Sequence, residues 1–140
     1  MREILFKAKR EDNGEWVEGN LVYSINDSEV IIIPVNNGDM YMNDYNDIGF
    51  GCWCKVQADT LCQYTGLTDK NGVKIWENDI VKDSILRYPL QIIYSEENGG
   101  WAAKRRHTYV EYGVGTINQS CYTVIGNIFD NPELLEKQVV

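Results

Sequence analysis

A chain of 140 residues with 44% hydrophobic and 24% charged side chains has the composition of a globular domain and excludes a disordered segment. Its formal net charge of −8 disfavours non-specific binding to nucleic acids or anionic membranes, which requires clustered cations, and would suit a basic partner. Nine tyrosines and four tryptophans favour strands and adhesive contact surfaces.

The N-terminal residues, Met1 to Lys7, contain no apolar stretch of the kind that a signal peptide needs. The longest apolar run, Val30 to Val35, is far shorter than the roughly 20 residues of a membrane-spanning helix. We therefore expect a cytoplasmic protein without membrane contact. In that compartment its cysteines would be reduced thiols, namely Cys52, Cys54, Cys62 and Cys121.

Alternation with a period of two residues is far more frequent along the chain than helical patterning and predicts strands. Asn13-Gly14 has the chemistry of a tight hairpin turn. A segment rich in Asn, Asp and Gly, residues 36–51, is predicted to be a loop with a short strand at Met40 to Met42. The other strands predicted in the first half of the chain cover residues 2–9, 16–23, 29–35, 52–55 and 60–64.

In the second half, a turn at Thr68 to Gly72 precedes short strands at residues 73–76 and 79–82. Residues 90–94 are predicted to pair with residues 101–104 across a polar turn, and residues 121–125 form a further strand. The pattern Asp130-Asn131-Pro132-Glu133 predicts the start of a short helix, with Pro132 in its first turn.

The predicted fold is therefore mainly β. Short strands separated by turns, from about residue 73 to residue 129, indicate a small barrel-like unit, for which an SH3-like barrel is the candidate form. An N-terminal β-sheet extension precedes it and a short C-terminal helix follows. The whole chain is predicted to be a single domain, residues 1–140, with candidate lobes at 1–59 and 60–140.

Three stretches of the chain resemble the YopX family of phage and prophage proteins. Residues 63–81, QYTGLTDKNGVKIWENDIV, resemble the family signature. Residues 124–135, VIGNIFDNPELL, resemble its C-terminal motif, and residues 2–8, REILFKA, resemble its opening. Asn78 stands where the family usually has glycine, and we expect the turn to persist because Asn tolerates a left-handed backbone.

The resemblance implies a phage or prophage product that is expressed inside bacteria. It implies no mechanism, because the family carries no established activity. The signature itself is rich in turn residues, and its turns are expected to place Ile80 and Val81 in a core. We therefore interpret it as a motif that preserves the fold.

Catalytic chemistry would have to use the sole histidine, His107. Its cationic neighbours, Lys104 to Arg106, make it a poor general base, and no nucleophile elbow is present, so we expect no catalytic residue. Cys52 and Cys54, with Cys62 and either Cys121 or His107, offer four thiol or imidazole groups for zinc. Cys52 and Cys54 have C-x-C spacing, which is not that of structural zinc sites. Buried thiols or an oligomer contact are therefore expected instead, with no metal and no cofactor.

One basic cluster is flanked by aromatic residues. Cations interleaved with aromatic side chains are typical of grooves that bind single-stranded nucleic acid. The alternatives are a solvated strand end and a salt bridge between subunits. This candidate interaction surface comprises Trp101, Lys104, Arg105, Arg106, His107, Tyr109 and Tyr112.

The pattern as a whole predicts a non-enzymatic, self-associating protein-interaction module in the bacterial cytoplasm. Its partner would be a host or phage protein, because an acidic surface, many aromatic residues and many strand edges favour protein contacts. A small β-barrel that binds nucleic acid is the alternative hypothesis, and an enzyme is a third.

Overall fold

The structure is a computed structural model that describes residues 2–24, 29–35, 40–42, 44–45, 48–86, 88–108, 111–113 and 121–136. Within these ranges the chain forms thirteen strands, and its helical structure includes the short 3₁₀ helices Ala58–Thr60 and Pro132–Leu135. The prediction of a mainly β protein is therefore confirmed. No helix of the described ranges is long and apolar enough to cross a membrane. The chain divides into two compact units, residues 1–63 and 64–140.

The first unit is built on an antiparallel sheet. Its strands are β1 (Phe6–Lys9), β2 (Trp16–Tyr23), β3 (Val30–Pro34), β4 (Met40–Met42), β5 (Ile48–Phe50) and β6 (Cys54–Lys55). The sheet has the order β6-β3-β2-β1, and β1 also pairs with the first two residues of β7 (Cys62–Thr68). β4 and β5 form a separate hairpin, so the strand predicted at Met40 is confirmed, whereas β5 lies where the sequence indicated only loop.

Short backbone contacts tie β6 to the chain that follows β1. The N–H of Gln57 donates to the carbonyl of Lys9 (2.8 Å), and the N–H of Glu11 donates to the carbonyl of Lys55 (3.1 Å). An isolated antiparallel bridge joins the residues between them. These bonds satisfy backbone groups that an exposed edge strand would otherwise present to solvent or to another chain. The core beneath the sheet comprises Ala8, Ile32, Cys54 and Val56.

β2 and β3 approach each other closely at Gly19. Gly19 is buried and lies opposite Pro34 in the strand register. A Cβ atom at this position would overlap the backbone carbonyl of Ile33, which cannot move without breaking the strand pairing. Glycine is therefore required at position 19 by the approach of a neighbouring strand.

The second unit continues β7 and contains a five-stranded antiparallel sheet. Its further strands are β8 (Lys74–Trp76), β9 (Asp79–Asp83), β10 (Pro89–Ser95), β11 (Gly100–Lys104), β12 (Glu111–Gly113) and β13 (Tyr122–Asn127). The order of the sheet is β12-β11-β10-β9-β13, while the later residues of β7 pair with β8. The predicted pairing of residues 90–94 with residues 101–104 is confirmed, and β12 is a strand that the sequence did not indicate.

The described strands of this unit form an open sheet, with β12 and β13 at opposite edges. The closed, SH3-like barrel predicted for this half is therefore not what they form. Closure requires the two edge strands to pair with each other. The outer edge of β13 is instead bonded to the turn after β7, where the N–H of Lys70 donates to the carbonyl of Tyr122 (3.1 Å).

The main hydrophobic cluster of the second unit packs on one face of its five-stranded sheet and includes Ile75 of β8. Alternate positions of the strands point to this face, because side chains in a strand alternate between its two sides. The fully buried side chains that form the cluster are Ile75, Val81, Leu90, Ile92, Ala103 and Tyr122.

Within the described residues, which end at residue 136, the region of the predicted C-terminal helix forms the 3₁₀ helix Pro132–Leu135. Asn131 occupies its N-cap position without a side-chain capping bond. Its Oδ1 atom instead accepts the N–H of Asn127 (3.4 Å). The N–H of Glu136 donates to the carbonyl of Glu133 (3.2 Å), which is the i to i−3 pattern of a 3₁₀ turn.

The substitution Gly19→Ala is expected to destabilise the protein by about 1–3 kcal/mol, because the added methyl group forces β2 and β3 apart. Urea unfolding followed by tryptophan fluorescence measures this loss. Gly100→Ala is the matched control, since a Cβ atom there meets no atom within 4 Å. Equal stability of the two variants would contradict the close approach at Gly19.

Candidate functional site

The turn in the middle of the signature is organised by the buried carboxylate of Asp69, which is 6% exposed. Its Oδ1 atom accepts the backbone N–H groups of Asn71 (2.8 Å) and Val73 (3.0 Å), and its Oδ2 atom accepts that of Val124 in β13 (3.0 Å). Burial raises the pKa of this carboxyl, but the hydrogen bonds from Val124, Val73 and Asn71 together outweigh it, so the pKa lies below its ordinary value of 3.8. An ionised carboxylate engaged in this way is a structural group.

The next turn of the signature also uses a carboxylate to fix the backbone. Asp79 is 3% exposed and accepts the N–H of Trp76 (2.8 Å). Asn78 has a φ of +68°, so it occupies the left-handed region, and the expectation that Asn preserves this turn is confirmed. Its N–H donates to the carbonyl of Ile92 (2.8 Å), and its own carbonyl accepts the N–H of Ile128 (3.1 Å).

The C-terminal motif forms a compact turn around Asn127. Its side-chain oxygen accepts the N–H groups of Phe129 (2.9 Å) and Asp130 (2.8 Å). A Cβ atom at Gly126 would lie 2.6 Å from Oδ1 of Asn131, so glycine leaves room for this turn.

The N–H of Lys70 in the signature donates to the carbonyl of Tyr122 in β13, and the carbonyl of Asn78 accepts the N–H of Ile128. These bonds join the signature to β13 and to the C-terminal motif. These contacts support the interpretation of the signature as a motif that preserves the fold, and they indicate the same role for the C-terminal motif.

The four cysteines are free thiols. Cys54 and Cys62 are buried, while Cys52 and Cys121 are half-buried. Burial raises the pKa of the Cys54 thiol, which therefore remains protonated and is a weak ligand and nucleophile. Among the residues that the structure describes, no three His, Cys, Asp or Glu side chains are grouped so as to hold a metal ion.

A groove of about 540 Å³ lies beside the turn that follows β11. The turn closes because Thr108 donates to the carbonyl of Arg105 through its hydroxyl (2.9 Å) and its N–H (3.3 Å). His107 has a φ of +62° at this point and is exposed. The polar lining comprises Arg105, Arg106, His107, Thr108 and Glu136. Tyr88, Pro89 and Leu135 add an apolar wall.

Both arginines of the groove have a partner within the chain. The guanidinium of Arg105 lies over the ring of Tyr88, with 4.1 Å between its central carbon and the ring centroid. Nη1 of Arg106 lies 3.0 Å from Oε1 of Glu136. The first contact is a cation–π interaction and the second an exposed ion pair, so the groove keeps cationic groups in defined positions.

Trp101, the aromatic residue of the candidate surface whose side chain the structure describes, is not among the residues that line this groove. Trp101 packs against the core of the second unit and contacts Tyr94 of the neighbouring strand. Lys104 ends β11, opposite Gln91. In an extended strand, four residues separate Trp101 from Arg105 by about 13 Å.

Of the seven candidate residues, the structure brings together Arg105, Arg106 and His107. Tyr109 lies outside the described residues, and Tyr112 is described only as the backbone partner of Ala103 in β12.

Sequence reasoning missed the groove residues that come from other strands and from the chain end. Tyr88 and Glu136 are 17 and 30 positions from their arginine partners. Only the pairing of β10 with β11 could have indicated Tyr88, because the register places the start of β10 beside the end of β11. No local pattern indicates Glu136.

A family model described as YopX protein matches residues 5–136. Among solved structures, the chain is similar to one titled as the crystal structure of protein EF1440 from Enterococcus faecalis. The sequences are 26% identical, the TM-score is 0.65, and the likeness covers 96% of this chain and 99% of that one. A comparison with curated proteins gives no match. Both likenesses extend over nearly the whole chain and therefore include both units.

The substitution Asp69→Asn is expected to destabilise the protein by about 1–3 kcal/mol at neutral pH, because an amide nitrogen would face a backbone N–H donor. The pKa of Asp69 is lower in the folded state than in the unfolded state. Its contribution to stability is therefore fully present above about pH 5 and lost as the pH falls through the folded-state pKa.

Urea unfolding between pH 7 and pH 3 should show the stability difference between wild type and Asp69→Asn shrinking as the pH falls. Glu96→Gln, in the exposed turn between β10 and β11, should keep the pH dependence of the wild type. A difference that stays constant across this range would show that Asp69 is not the ionised acceptor described above.

Proposed function

We propose that this chain, which belongs to the YopX family, is a non-enzymatic protein-interaction module that self-associates in the bacterial cytoplasm. Membership follows from the family match over residues 5–136 and agrees with the resemblance of the sequence motifs. The observation that carries the proposal is a pair of aromatic side chains, Tyr94 and Trp101, presented on the hairpin of β10 and β11.

The aromatic pair has the geometry and exposure of a contact site. The ring centroids of Tyr94 and Trp101 lie 5.4 Å apart at an interplanar angle of 83°, which is an edge-to-face arrangement. Tyr94 is 50% exposed, whereas Trp101 is half-buried against the core. Tyrosine and tryptophan are large side chains, and they contribute most to binding when they are held rigidly in place before contact. The pair meets these conditions because Trp101 anchors Tyr94.

The hairpin that carries the pair is stiffened at its tip. Ser95 accepts the N–H of Gly99 at its carbonyl (2.8 Å) and the N–H of Asn98 at its hydroxyl (3.2 Å). Gly99 adopts a φ of +67°, which a residue with a side chain would resist. A partner that binds the pair therefore has little backbone disorder to remove, and the entropic cost of association is small.

Other exposed apolar side chains do not distinguish a site by themselves. Tyr23 and Ile85, for example, are 60% and 79% exposed, and isolated exposed residues of this kind are ordinary in soluble proteins. Tyr94 differs because its neighbour across the strand register is a second large aromatic residue. Adjacent aromatic residues concentrate contact area in one place, and this favours the pair as the contact site.

The net charge of −8 favours a basic host or phage protein as the further partner. Complementary charge accelerates the encounter of such a partner, while the aromatic contacts supply most of the affinity. The proposal thus combines a short-range aromatic contact with a long-range acidic field.

Nucleic-acid binding is the second candidate function, and the groove of Arg105 and Arg106 favours it. Adjacent guanidinium groups form bidentate contacts with phosphates. The acidic net charge opposes this function, because phosphate binding depends on net cationic contact. Retention of single-stranded DNA or RNA by the protein at 50 mM salt would support it, and absence of retention would remove it.

The substitution Tyr94→Ser is expected to raise the dissociation constant of self-association at least about 30-fold, the loss typical of a central aromatic contact. Light scattering over a range of concentrations measures this as a shift of the mass toward the 16.1 kDa of one chain. Tyr23→Ser in the first unit removes a similarly exposed tyrosine and should leave the mass unchanged. A wild-type mass of one chain at all concentrations would refute self-association.

An affinity purification from bacterial host lysate tests the partner. We expect one stoichiometric host protein that is released when the salt concentration is raised, because charge complementarity is screened by salt. Recovery of the bait alone would contradict the host-directed part of the proposal. It would leave self-association to be decided by light scattering.

A further inference from the structure

The groove beside the turn at residues 105–108 combines two guanidinium groups with an apolar wall. Arg105 is held over the ring of Tyr88, with 4.1 Å from its central carbon to the ring centroid. A guanidinium stacked on a ring face keeps its N–H donors in its own plane, where they can form a bidentate pair with a carboxylate. The stacking therefore orients Arg105 without exhausting its capacity to bind an anion.

Arg106 already binds a carboxylate of the same chain. Its Nη1 atom lies 3.0 Å from Oε1 of Glu136, and the two side chains are 40% and 69% exposed. Exposed ion pairs contribute little to stability, because solvent screens them and two long side chains must be ordered. A second carboxylate that contacts both arginines could displace Glu136 at small cost.

The apolar wall indicates what accompanies the anion. Pro89 and Leu135 line the groove next to the cations, and Leu135 directly precedes Glu136. The carboxylate that contacts Arg106 is thus adjacent in sequence to an apolar side chain that lines the groove. A ligand with the same combination would reproduce both kinds of contact.

The second unit, which contains the groove, carries less negative charge than the first. Residues 1–63 contain 11 acidic and 5 basic side chains, a formal charge of −6. Residues 64–140 contain 10 acidic and 8 basic side chains, a formal charge of −2. An anionic ligand therefore meets less repulsion near the second unit.

We propose that the groove binds an acidic peptide segment of a partner protein, in which a carboxylate side chain lies next to an apolar residue. Arg105 and Arg106 bind the carboxylate, Pro89 and Leu135 contact the apolar residue, and Glu136 is the internal carboxylate that the ligand displaces. This site is separate from the aromatic pair and does not depend on self-association.

The probe is a fluorescein-labelled peptide Asn-Pro-Glu-Leu-Leu-Glu, a copy of residues 131–136, whose binding to the full chain is followed by fluorescence anisotropy. Glu136→Gln is expected to bind it about 2–5-fold more tightly than the wild type, because the internal competitor has lost its charge. Arg106→Ala is expected to bind at least about 10-fold more weakly, since a charge-assisted hydrogen bond is lost.

Arg106→Lys serves as the conservative variant. It keeps the charge but not the forked donor geometry, so its affinity should fall between those of the wild type and Arg106→Ala. Arg10→Ala is the matched control, because Arg10 is also paired with an exposed carboxylate, that of Asp12, in the first unit. Its peptide affinity should equal that of the wild type, and each variant is used only if its thermal midpoint matches the wild type.

Three results would each overturn the proposal. The first is equal peptide affinity of the wild type, Arg105→Ala and Arg106→Ala. The second is absence of binding to both the wild type and Glu136→Gln. The third is Arg106-dependent binding of a single-stranded oligonucleotide without peptide binding, which would assign the groove to nucleic acid. A monomeric mass in light scattering would refute self-association and leave the peptide result standing.

Discussion

A buried carboxylate that accepts three backbone N–H groups is the constraint on which the second unit depends. Burying an ionised group costs several kcal/mol unless its oxygens are fully hydrogen-bonded. Asp69 meets that condition only if its own turn is formed and β13 lies at the correct register. Its Oδ1 atom accepts an N–H group of the turn, and its Oδ2 atom accepts an N–H group of β13. The turn, the register of the edge strand and the ionisation of one side chain are thus set together.

Local chemistry determined the parts of the fold that the sequence could predict. Strand β2 lies where alternation placed it, residues 16–23, and the hairpin of β10 and β11 follows its polar turn. The open sheet was not predictable, because the bond between Lys70 and Tyr122 joins residues 52 positions apart. β12 was missed for a similar reason: a strand of three residues has too few positions for alternation to indicate it.

The candidate surface shows the same limit. The sequence indicated the cluster at Arg105 and Arg106 because the cations are consecutive, and it included Trp101 because that residue is near in sequence. The strand geometry separates them, so the cations line a groove while the tryptophan pairs with Tyr94. Nearness in sequence does not mean nearness on a surface, since each residue of an extended strand adds about 3.3 Å.

The hydrogen bonds at the outer edge of β13 limit how strands of other molecules can add to the sheet of the second unit. The carbonyl of Tyr122 and the N–H of Val124 are both bonded to the turn after β7, so a strand from another molecule finds these groups occupied. Of the two edges of the described sheet, that leaves β12. Growth from one edge stops when two copies meet through a twofold axis, whereas growth from two edges continues into a fibre. The signature turn therefore opposes the addition of a strand from another molecule at the β13 edge of the described sheet.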